Sequence, residues 1–226
     1  MRHATPARAD LTEYYAARAQ EYEKIYLKPE RQDDLAWLKT RLRSLLADHH
    51  VLEVACGTGY WTAVIAQTAA AILATDINPQ MLALAKAKQL PPEKVNFLQD
   101  DAFSLHQVHG HFTAGFAGFW WSHLRKSEVK RFLTVFHAKL TVGALVVFID
   151  NLYVEGSSTP IARQDEEGNT YQLRRLESGA TYEVLKNFPE EVELRSLLAE
   201  FSERVHFERR KYYWLVWYHL PPSMSS

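Results

Sequence analysis

The sequence predicts an α/β fold, a mostly parallel sheet of seven strands with helices on both faces. Residues 51–54 are a short apolar run typical of a buried strand, the small residues 55–59 end it at once, and apolar residues at helical spacing follow. Four further apolar runs alternate with helix-like or turn-rich segments, at 71–75, 95–98, 112–117 and 144–149. This alternation is typical of parallel strands joined by helices. Two last β-like runs, 205–209 and 212–219, predict a terminal antiparallel hairpin.

The helices are predicted where apolar residues recur every three or four positions. These segments are 11–27, Asp33 or Asp34 through Leu46, Asn78 through Ala85, 126–140, and Pro189 through Phe201. Residues 165–187 interrupt the alternation, because two β-like runs there flank the turn Glu177-Ser178-Gly179. We therefore expect a small β-hairpin inserted between the fifth strand and the last helix.

Composition limits the kind of partner. The 226 residues carry 26 basic and 27 acidic side chains, and this balance lacks the positive surface typical of proteins that bind nucleic acid or anionic membranes. A small-molecule partner is therefore expected. The single cysteine, Cys56, excludes an internal disulfide framework and a zinc cluster, so no metal is expected. The chain has no apolar run long enough to span a membrane and no signal-peptide core in residues 1–10, which predicts a cytoplasmic location.

The turn at residues 55–59 narrows the choice of cofactor. A dinucleotide fingerprint needs a third small residue where Thr62 stands, and a phosphate-binding P-loop needs a Gly-Lys-Ser/Thr ending that is absent. What remains is Glu53, two residues before the turn, followed by Gly57-Thr58-Gly59. This pattern resembles motif I of the Rossmann-like methyltransferases that depend on S-adenosylmethionine (SAM). SAM carries an ammonium, a sulfonium and no phosphate, so an acidic residue beneath the turn suits it.

The resemblance implies a set of cofactor contacts. Asp76 lies about twenty residues beyond the glycine turn, where a carboxylate takes both ribose hydroxyls, although an acid at a strand end also serves as a helix cap. Ile77 and Met81 are expected to flank the adenine. Asp101 is expected to accept from the adenine amine beside Ala102, with adjacent Asp100 leaving the choice of acid open. The other positions expected at the cofactor are Ala55, Cys56, Trp61, Phe103, Ala117 and Gly118.

The N-terminal segment has two interpretations. Tyr14, Arg18 and Tyr22 recur every four residues and so share one helix face. They indicate either an amphipathic helix laid over the sheet or a lid that closes over the cofactor. The run from Tyr14 to Tyr22 resembles the N-terminal segment of small-molecule methyltransferases, which implies that Arg18 pairs with the cofactor carboxylate.

Aromatic residues follow the fourth strand, at the sheet edge where ligands bind in open α/β folds. Phe119, Trp120 and Trp121 are expected to form a wall for a planar acceptor and for the sulfonium. His123 is the candidate general base, because histidine titrates near neutral pH, but a structural role in this turn is the alternative. Asn151 and Tyr153 are further candidates for contact with the acceptor, with turn formation as the alternative. In the inserted hairpin, Tyr171, Arg174, Arg175 and Lys186 are candidates for acceptor specificity, with solvated surface charge as the favoured interpretation for most of them.

The predicted molecule is a single methyltransferase domain over residues 1–226. Within it we expect an N-terminal helical lid (1–47), a cofactor-binding core (48–150), an inserted substrate cap (151–188), and a last helix with the terminal hairpin (189–220). The expected reaction moves the methyl group of SAM to oxygen or nitrogen of a small aromatic or heteroaromatic acceptor and releases S-adenosylhomocysteine (SAH). Methylation of a thiol, a noncatalytic SAM-binding role and an NAD(P)-dependent oxidoreductase are the alternatives, and a monomer or homodimer is expected.

Overall fold

The computed structural model describes residues 7–222, with side chains from residue 11 onward. Residues 1–6 of the predicted lid and residues 223–226 lie outside this part. The strands, in chain order, are β1 His50–Val54, β2 Ala71–Asp76, β3 Val95–Gln99, β4 Phe112–Gly118, β5 Leu140–Asn151, β6 Arg163–Gln164, β7 Thr170–Arg175, β8 Thr181–Leu185, β9 Val205–Arg209 and β10 Tyr213–His219. The α-helices are α1 Ala7–Arg18, α2 Gln32–Leu45, α3 Tyr60–Ile65, α4 Pro79–Ala87, α5 Val129–His137 and α6 Glu191–Leu198.

Seven of these strands form one sheet in the order β3-β2-β1-β4-β5-β10-β9. Strands β1 to β5 are parallel, whereas β10 runs antiparallel to both β5 and β9. The prediction of a mostly parallel seven-stranded sheet that ends in an antiparallel hairpin is therefore confirmed.

Helices cover both faces of the sheet, as predicted, because side chains alternate along each buried strand. In β1, Val51 lies in the core formed with α2, α3 and α4, whereas Leu52 lies in the core formed with α5 and α6. No helix within residues 7–222 is both long and apolar enough to cross a membrane.

A second, smaller sheet follows β5. Strands β7 and β8 form the hairpin predicted near residues 165–187, and the short β6 adds a third strand to it. This sheet packs on α1 through a buried cluster that contains Tyr14, Leu176 and Val184. Helix α1 and the small sheet therefore form one continuous cover next to the main sheet.

The chain changes direction within the main sheet between β1 and β4. Strands β2 and β3 extend one way from β1, and β4 then returns to pair with β1 on its other side. Because both strands are parallel, the turn after β1 and the residues after β4 meet at the same edge of the sheet. Ligands in doubly wound folds bind at such a switch point, beyond the carboxyl ends of the strands.

Candidate active site

The glycine turn after β1 takes a backbone shape that brings bare main chain to this edge. Ala55, Gly57 and Gly59 have φ angles of 54°, 57° and 73°. At Gly59, a Cβ atom would lie 3.0 Å from the Ala85 Cβ, so α4 would have to move by a few tenths of an ångström to admit a side chain there. At Gly57, a Cβ would meet no atom within 4 Å, so that backbone faces open space.

Asp76, at the end of β2, holds this turn in place. Its carboxylate accepts hydrogen bonds from the backbone N–H groups of Gly57 and Asn78, both at 2.8 Å. The residue is 9% exposed, and burial raises the pKa of its carboxyl group. The cap of α4 is Asn78, whose side chain accepts from Gln80 and Met81. Asp76 is therefore not the cap of α4, and its carboxylate lies at the edge of the sheet beside the glycine turn.

A first pocket of about 860 Å³, counted with its open mouth, lies over this edge. Asp76, Asp100 and Asp101 line it, and none of its described lining residues is Lys or Arg. Ten of the positions expected at the cofactor line this pocket: Tyr22, Ala55, Gly57, Asp76, Ile77, Met81, Asp101, Ala102, Phe103 and Gly118. The structure therefore brings together most of the residues that the sequence placed at a cofactor.

The two adjacent acids after β3 have different surroundings. Both carboxylate oxygens of Asp100 accept loop N–H groups, from Asp101 and Gln107, each at 2.8 Å. Asp101 is less buried, and its Oδ1 accepts from the Phe103 N–H at 2.9 Å. Asp100 therefore shapes the loop, and Asp101 is the more accessible of the two to a ligand.

Several residues expected at the cofactor do not line the first pocket. The Thr58 hydroxyl donates to the Glu23 carboxylate at 2.6 Å, and the Trp61 indole donates to the Tyr26 hydroxyl at 3.1 Å inside the core. The remaining buried positions outside the pocket are Glu53, Cys56, Gly59 and Ala117. These six lie outside the lining of the first pocket, and direct contact of these residues with the cofactor stays a prediction.

Glu53 and Cys56 are buried beneath the turn, and burial changes their protonation. Glu53 is 1% exposed, and burial raises its pKa to about 8. Burial also raises the pKa of the Cys56 thiol well above its ordinary value. A thiol in this environment is a small buried residue and not a nucleophile.

A second pocket of about 750 Å³ adjoins the first. Arg18, Lys28, Arg31, Arg174 and Lys186 line it, and none of its described lining residues is Asp or Glu. Tyr14, expected at the cofactor, lies here with Arg18, whose guanidinium donates to the Tyr14 hydroxyl at 2.8 Å. Asn151, expected at the acceptor, also lines this pocket.

Four residues line both pockets and form their boundary: Tyr15, Tyr22, Phe119 and His123. At this boundary the Tyr15 hydroxyl lies 2.6 Å from His123 Nε2, and His123 Nδ1 lies 2.8 Å from the Leu185 carbonyl oxygen. A carbonyl oxygen only accepts, so Nδ1 carries the proton and Nε2 accepts from Tyr15. Burial, assisted by the charge of Lys186, lowers the pKa of His123 well below 6.5.

Lys186 and Asp150 form a buried ion pair at the floor of the second pocket. The Lys186 ammonium lies 3.3 Å from Asp150 Oδ1 and donates to the Ser122 hydroxyl at 2.6 Å. Burial lowers the pKa of Lys186. Burial acts to raise the pKa of Asp150, but the Lys186 charge and the Ser122 N–H outweigh it, and the net pKa is lowered.

Three of the residues expected at the acceptor lie elsewhere. Trp121 packs in the core against Phe148 and Trp214, and Tyr153 lines a separate groove. Tyr171 is buried, its hydroxyl donates to Asp165 at 2.9 Å, and it lines neither pocket. Trp120 lines the first pocket and not the second. The three residues of the expected aromatic wall are therefore separated in the structure. Of these three, only Phe119 lies at the boundary of the two pockets.

Sequence reasoning identified only part of the most charged region of the site, because it named Arg174 and Lys186 as candidates for acceptor contact but missed Arg31. Arg31 lies just before α2, and Arg174 and Lys186 come from β7 and the end of β8, more than 140 residues later in the chain. No spacing rule connects positions so far apart. The basic residues of the inserted segment were the signal in the sequence, but ordinary solvated charge was the favoured interpretation for most of them.

Comparisons with known proteins agree with this architecture. A family model described as a methyltransferase domain matches residues 51–143. A search of curated proteins found no match. Among solved structures, the complex of DhpI with SAH is 25% identical with a TM-score of 0.76, covering 95% of this chain and 97% of that one. DhpI with SAM and HEP is 23% identical with the same TM-score, covering 96% and 100%.

A more distant structure shares the fold. Magnesium protoporphyrin IX methyltransferase from Synechocystis PCC 6803 with bound SAM is 14% identical, with a TM-score of 0.64, and the match covers 98% of this chain and 100% of that one. The strand order and these structures show that the chain has the class I, Rossmann-like fold of the SAM-dependent methyltransferases, and residues 51–143 match a methyltransferase domain model.

Proposed function

We propose that this protein transfers the methyl group of SAM, bound in the first pocket, to a small molecule bound in the second pocket. The observation that carries this proposal is the pair of adjoining pockets that share Tyr15, Tyr22, Phe119 and His123 as their boundary. A donor in one pocket and an acceptor in the other would meet at these four residues.

The first pocket suits the adenosine part of SAM. Asp76 presents a carboxylate that matches the two ribose hydroxyls, and Asp101 is placed to accept from the adenine amine beside Ala102. Gly57 leaves room for a ligand directly against the backbone. The donor supplies an activated methyl group on a sulfonium, and the aromatic faces of Tyr15, Tyr22 and Phe119 suit that cation.

The charge of the first pocket also favours SAM over a dinucleotide. A pyrophosphate would be placed among Asp76, Asp100 and Asp101, with no Lys or Arg among the described lining residues to pair with it. Like charges so close repel strongly. An NAD(P)-dependent activity is therefore the weaker candidate.

The methionine carboxylate of SAM needs a cation, and the described part of the first pocket offers none. Arg18 is the candidate, because it lies just across the boundary beside Tyr22, with its guanidinium 5.4 Å from the Tyr22 ring centre. A guanidinium at this position suits a carboxylate. We therefore propose that Arg18 pairs with the methionine carboxylate of SAM.

The protein's main contribution to transfer is alignment. The acceptor atom attacks the methyl carbon opposite the sulfur, and holding the two reactants in line lowers the barrier by about 7–11 kcal/mol in favourable cases. His123 is a weak base here, because its pKa is low and Tyr15 occupies its Nε2. We therefore propose that His123 positions the Tyr15 hydroxyl at the boundary.

The acceptor is a small molecule methylated on oxygen or nitrogen. Tyr14, Tyr26, Phe188 and Tyr213 line the second pocket beside the boundary aromatics, and these rings support the predicted preference for an aromatic or heteroaromatic acceptor. A thiol acceptor remains the alternative.

The proposal is tested by incubating the protein with methyl-labelled SAM and panels of phenols, amines, acids and thiols, with SAH formation as the readout. Calorimetric titrations with SAH and NAD accompany the assay. We expect SAH to bind, NAD not to bind, and at least one panel to be methylated. Tight NAD binding without SAH binding would overturn the proposal, and SAH binding without turnover in a cell extract would favour a noncatalytic SAM-binding role.

A further inference from the structure

The second pocket concentrates positive charge in a chain that has almost no net charge. The whole sequence has 26 basic and 27 acidic side chains, yet five cations and no acids line this pocket among the described residues. The cations come from the N-terminal segment and from the small sheet, so the two covering elements both deliver charge to one space. This local excess is opposite to the expectation drawn from the overall balance.

The charges are only partly neutralised within the protein. Arg31 is 8% exposed and donates to the Ser157 hydroxyl at 2.9 Å and, more weakly, to the Asn151 side-chain oxygen at 3.4 Å. Arg174 donates to the neutral side chain of Gln172. The Nε–H groups of both arginines have no acceptor within residues 11–222.

Carboxylates near the pocket do not remove this excess. Asp150 pairs with Lys186, and Glu30 is an exposed carboxylate that hydrogen-bonds the Ser157 hydroxyl and interacts with Lys28 and Arg31 only across solvent, without a direct ion pair. Burial lowers the pKa of Arg174, and the neighbouring charges of Arg18 and Arg31 add to this effect. Buried charge without a counter-ion is strongly unfavourable, so a cluster of this kind is stabilised when an anion enters.

The carboxylate of SAM accounts for only one of these cations. If Arg18 takes that carboxylate and Lys186 stays with Asp150, then Lys28, Arg31 and Arg174 form no ion pair with any carboxylate of residues 11–222, and only the exposed Glu30 acts on the first two. Three cations are more than a neutral phenol, amine or thiol would use. The remaining charge therefore bears on the acceptor itself.

We propose that the acceptor is a small oxyanion, a carboxylate, phosphate or phosphonate, held by Arg31 and Arg174, and that the methyl group goes to one of its own oxygens. This inference rests on the proposed function and names the substrate class of the same site. It is compatible with an aromatic acceptor, because the anionic group can be carried on a ring.

The chemistry of the step agrees with the absence of a strong base among the described lining residues. An anionic oxygen attacks the methyl carbon, the carbon–sulfur bond breaks, and its electron pair stays on sulfur, which becomes the neutral thioether of SAH. One negative and one positive charge disappear together and no proton is released. A neutral hydroxyl or amine would need a proton acceptor, and His123 is already engaged by Tyr15.

The binding test uses the SAH-loaded protein, titrated calorimetrically with inorganic phosphate, phenylphosphonate, benzoate and phenol at constant ionic strength. We expect at least one anion to bind and phenol to bind at least tenfold more weakly than the preferred anion. Phosphorus acids and carboxylates serve as separate arms, so the preferred kind of oxyanion is read directly. The proposal would be overturned if phenol bound as tightly as the preferred anion, or if none of the anions bound.

Variants locate the anion. Arg174→Gln and Arg31→Gln should each weaken anion binding at least tenfold, and Arg174→Lys should restore part of the loss. Arg175→Gln is the matched control, because Arg175 is the neighbouring but exposed residue of the same strand. SAH affinity is measured in every variant and reports correct folding. The proposal would be overturned if Arg174→Gln and Arg175→Gln bound the anion with equal affinity while both still bound SAH normally.

The turnover test identifies the methylated atom with 4-hydroxybenzoate, which carries a carboxylate and a phenol on one ring. We expect the methyl ester of the acid as product, and a methyl ether would overturn the assignment of the oxygen. If neither forms, the binding measurement decides the proposal. Failure of SAH to bind would instead refute the proposed function, so the two failures are distinguishable.

Discussion

The close contact between the glycine turn and α4 leads to a quantitative prediction for Gly59→Ala. The new Cβ would lie 3.0 Å from the Ala85 Cβ and 3.2 Å from its Cα, which is backbone and moves only with the helix. Crowding of this kind costs about 1–3 kcal/mol. The φ angle of +73° adds about 1–2 kcal/mol for any residue with a side chain. The free energy of unfolding should therefore fall by roughly 2–5 kcal/mol.

Two other glycines separate these contributions. Gly143 has the same φ of +73°, and a Cβ atom there would meet no atom within 4 Å, so Gly143→Ala should show only the backbone cost of about 1–2 kcal/mol. Gly57→Ala should lose similar stability but also weaken SAH binding, because Gly57 lines the first pocket. Urea unfolding measures the first quantity and calorimetry the second. Equal stability of Gly59→Ala and Gly143→Ala, within about 0.5 kcal/mol, would refute the packing argument.

Three further predictions concern single side chains. Arg18→Gln should weaken SAH binding about tenfold or more. Binding of 5′-methylthioadenosine should be unchanged, since that ligand lacks the carboxylate. Calorimetry that shows an equal loss of affinity for both ligands would argue against the pairing of Arg18 with the carboxylate. Tyr15→Phe should lower kcat and retain the affinity for SAH, whereas Tyr153→Phe, outside both pockets, should leave kcat and SAH affinity unchanged. Steady-state kinetics in which Tyr153→Phe lowers kcat more than Tyr15→Phe would contradict the placement of the reaction at the boundary of the pockets. Burial raises the pKa of Glu53 to about 8, so above about pH 4.5 the folded state keeps a proton that the unfolded state has lost. The free energy of unfolding should therefore fall between about pH 4.5 and 8, by up to about 1.4 kcal/mol per pH unit. Glu53→Gln should flatten this slope in urea unfolding at pH 5 to 8, and an unchanged slope would exclude Glu53 as its source.

Much of the fold was predictable because its signals are local. The strand, turn and helix around Gly57 are contiguous in sequence, and Asp76 follows at the spacing that one connecting helix imposes. The alternation of strands and helices then fixes a parallel sheet. The small sheet was recognisable as a hairpin for the same reason, although β6 has only two residues and gave no pattern.

The acceptor side of the site was much less predictable because its residues are far apart in the chain. Arg31 and Arg174 meet only after α1 and the small sheet have packed together. The direction of a side chain next to a recognised motif was also not predictable from the sequence. Trp121 immediately follows a pocket residue but lies inside the core, and Thr58 lies in the turn but its hydroxyl donates to Glu23.

The most direct test of the account is calorimetric titration of SAH into the wild-type protein, Asp76→Ala and Asp33→Ala. Asp33 is an exposed acid in the first turn of α2 and serves as the matched control, and thermal unfolding of each variant checks the fold. We predict that SAH binds the wild type and Asp33→Ala alike and binds Asp76→Ala at least tenfold more weakly, because the ribose hydroxyls and the Gly57 turn both lose their acceptor. Equal affinity for all three proteins, or no binding by the wild type, would contradict the assignment of the first pocket to the cofactor.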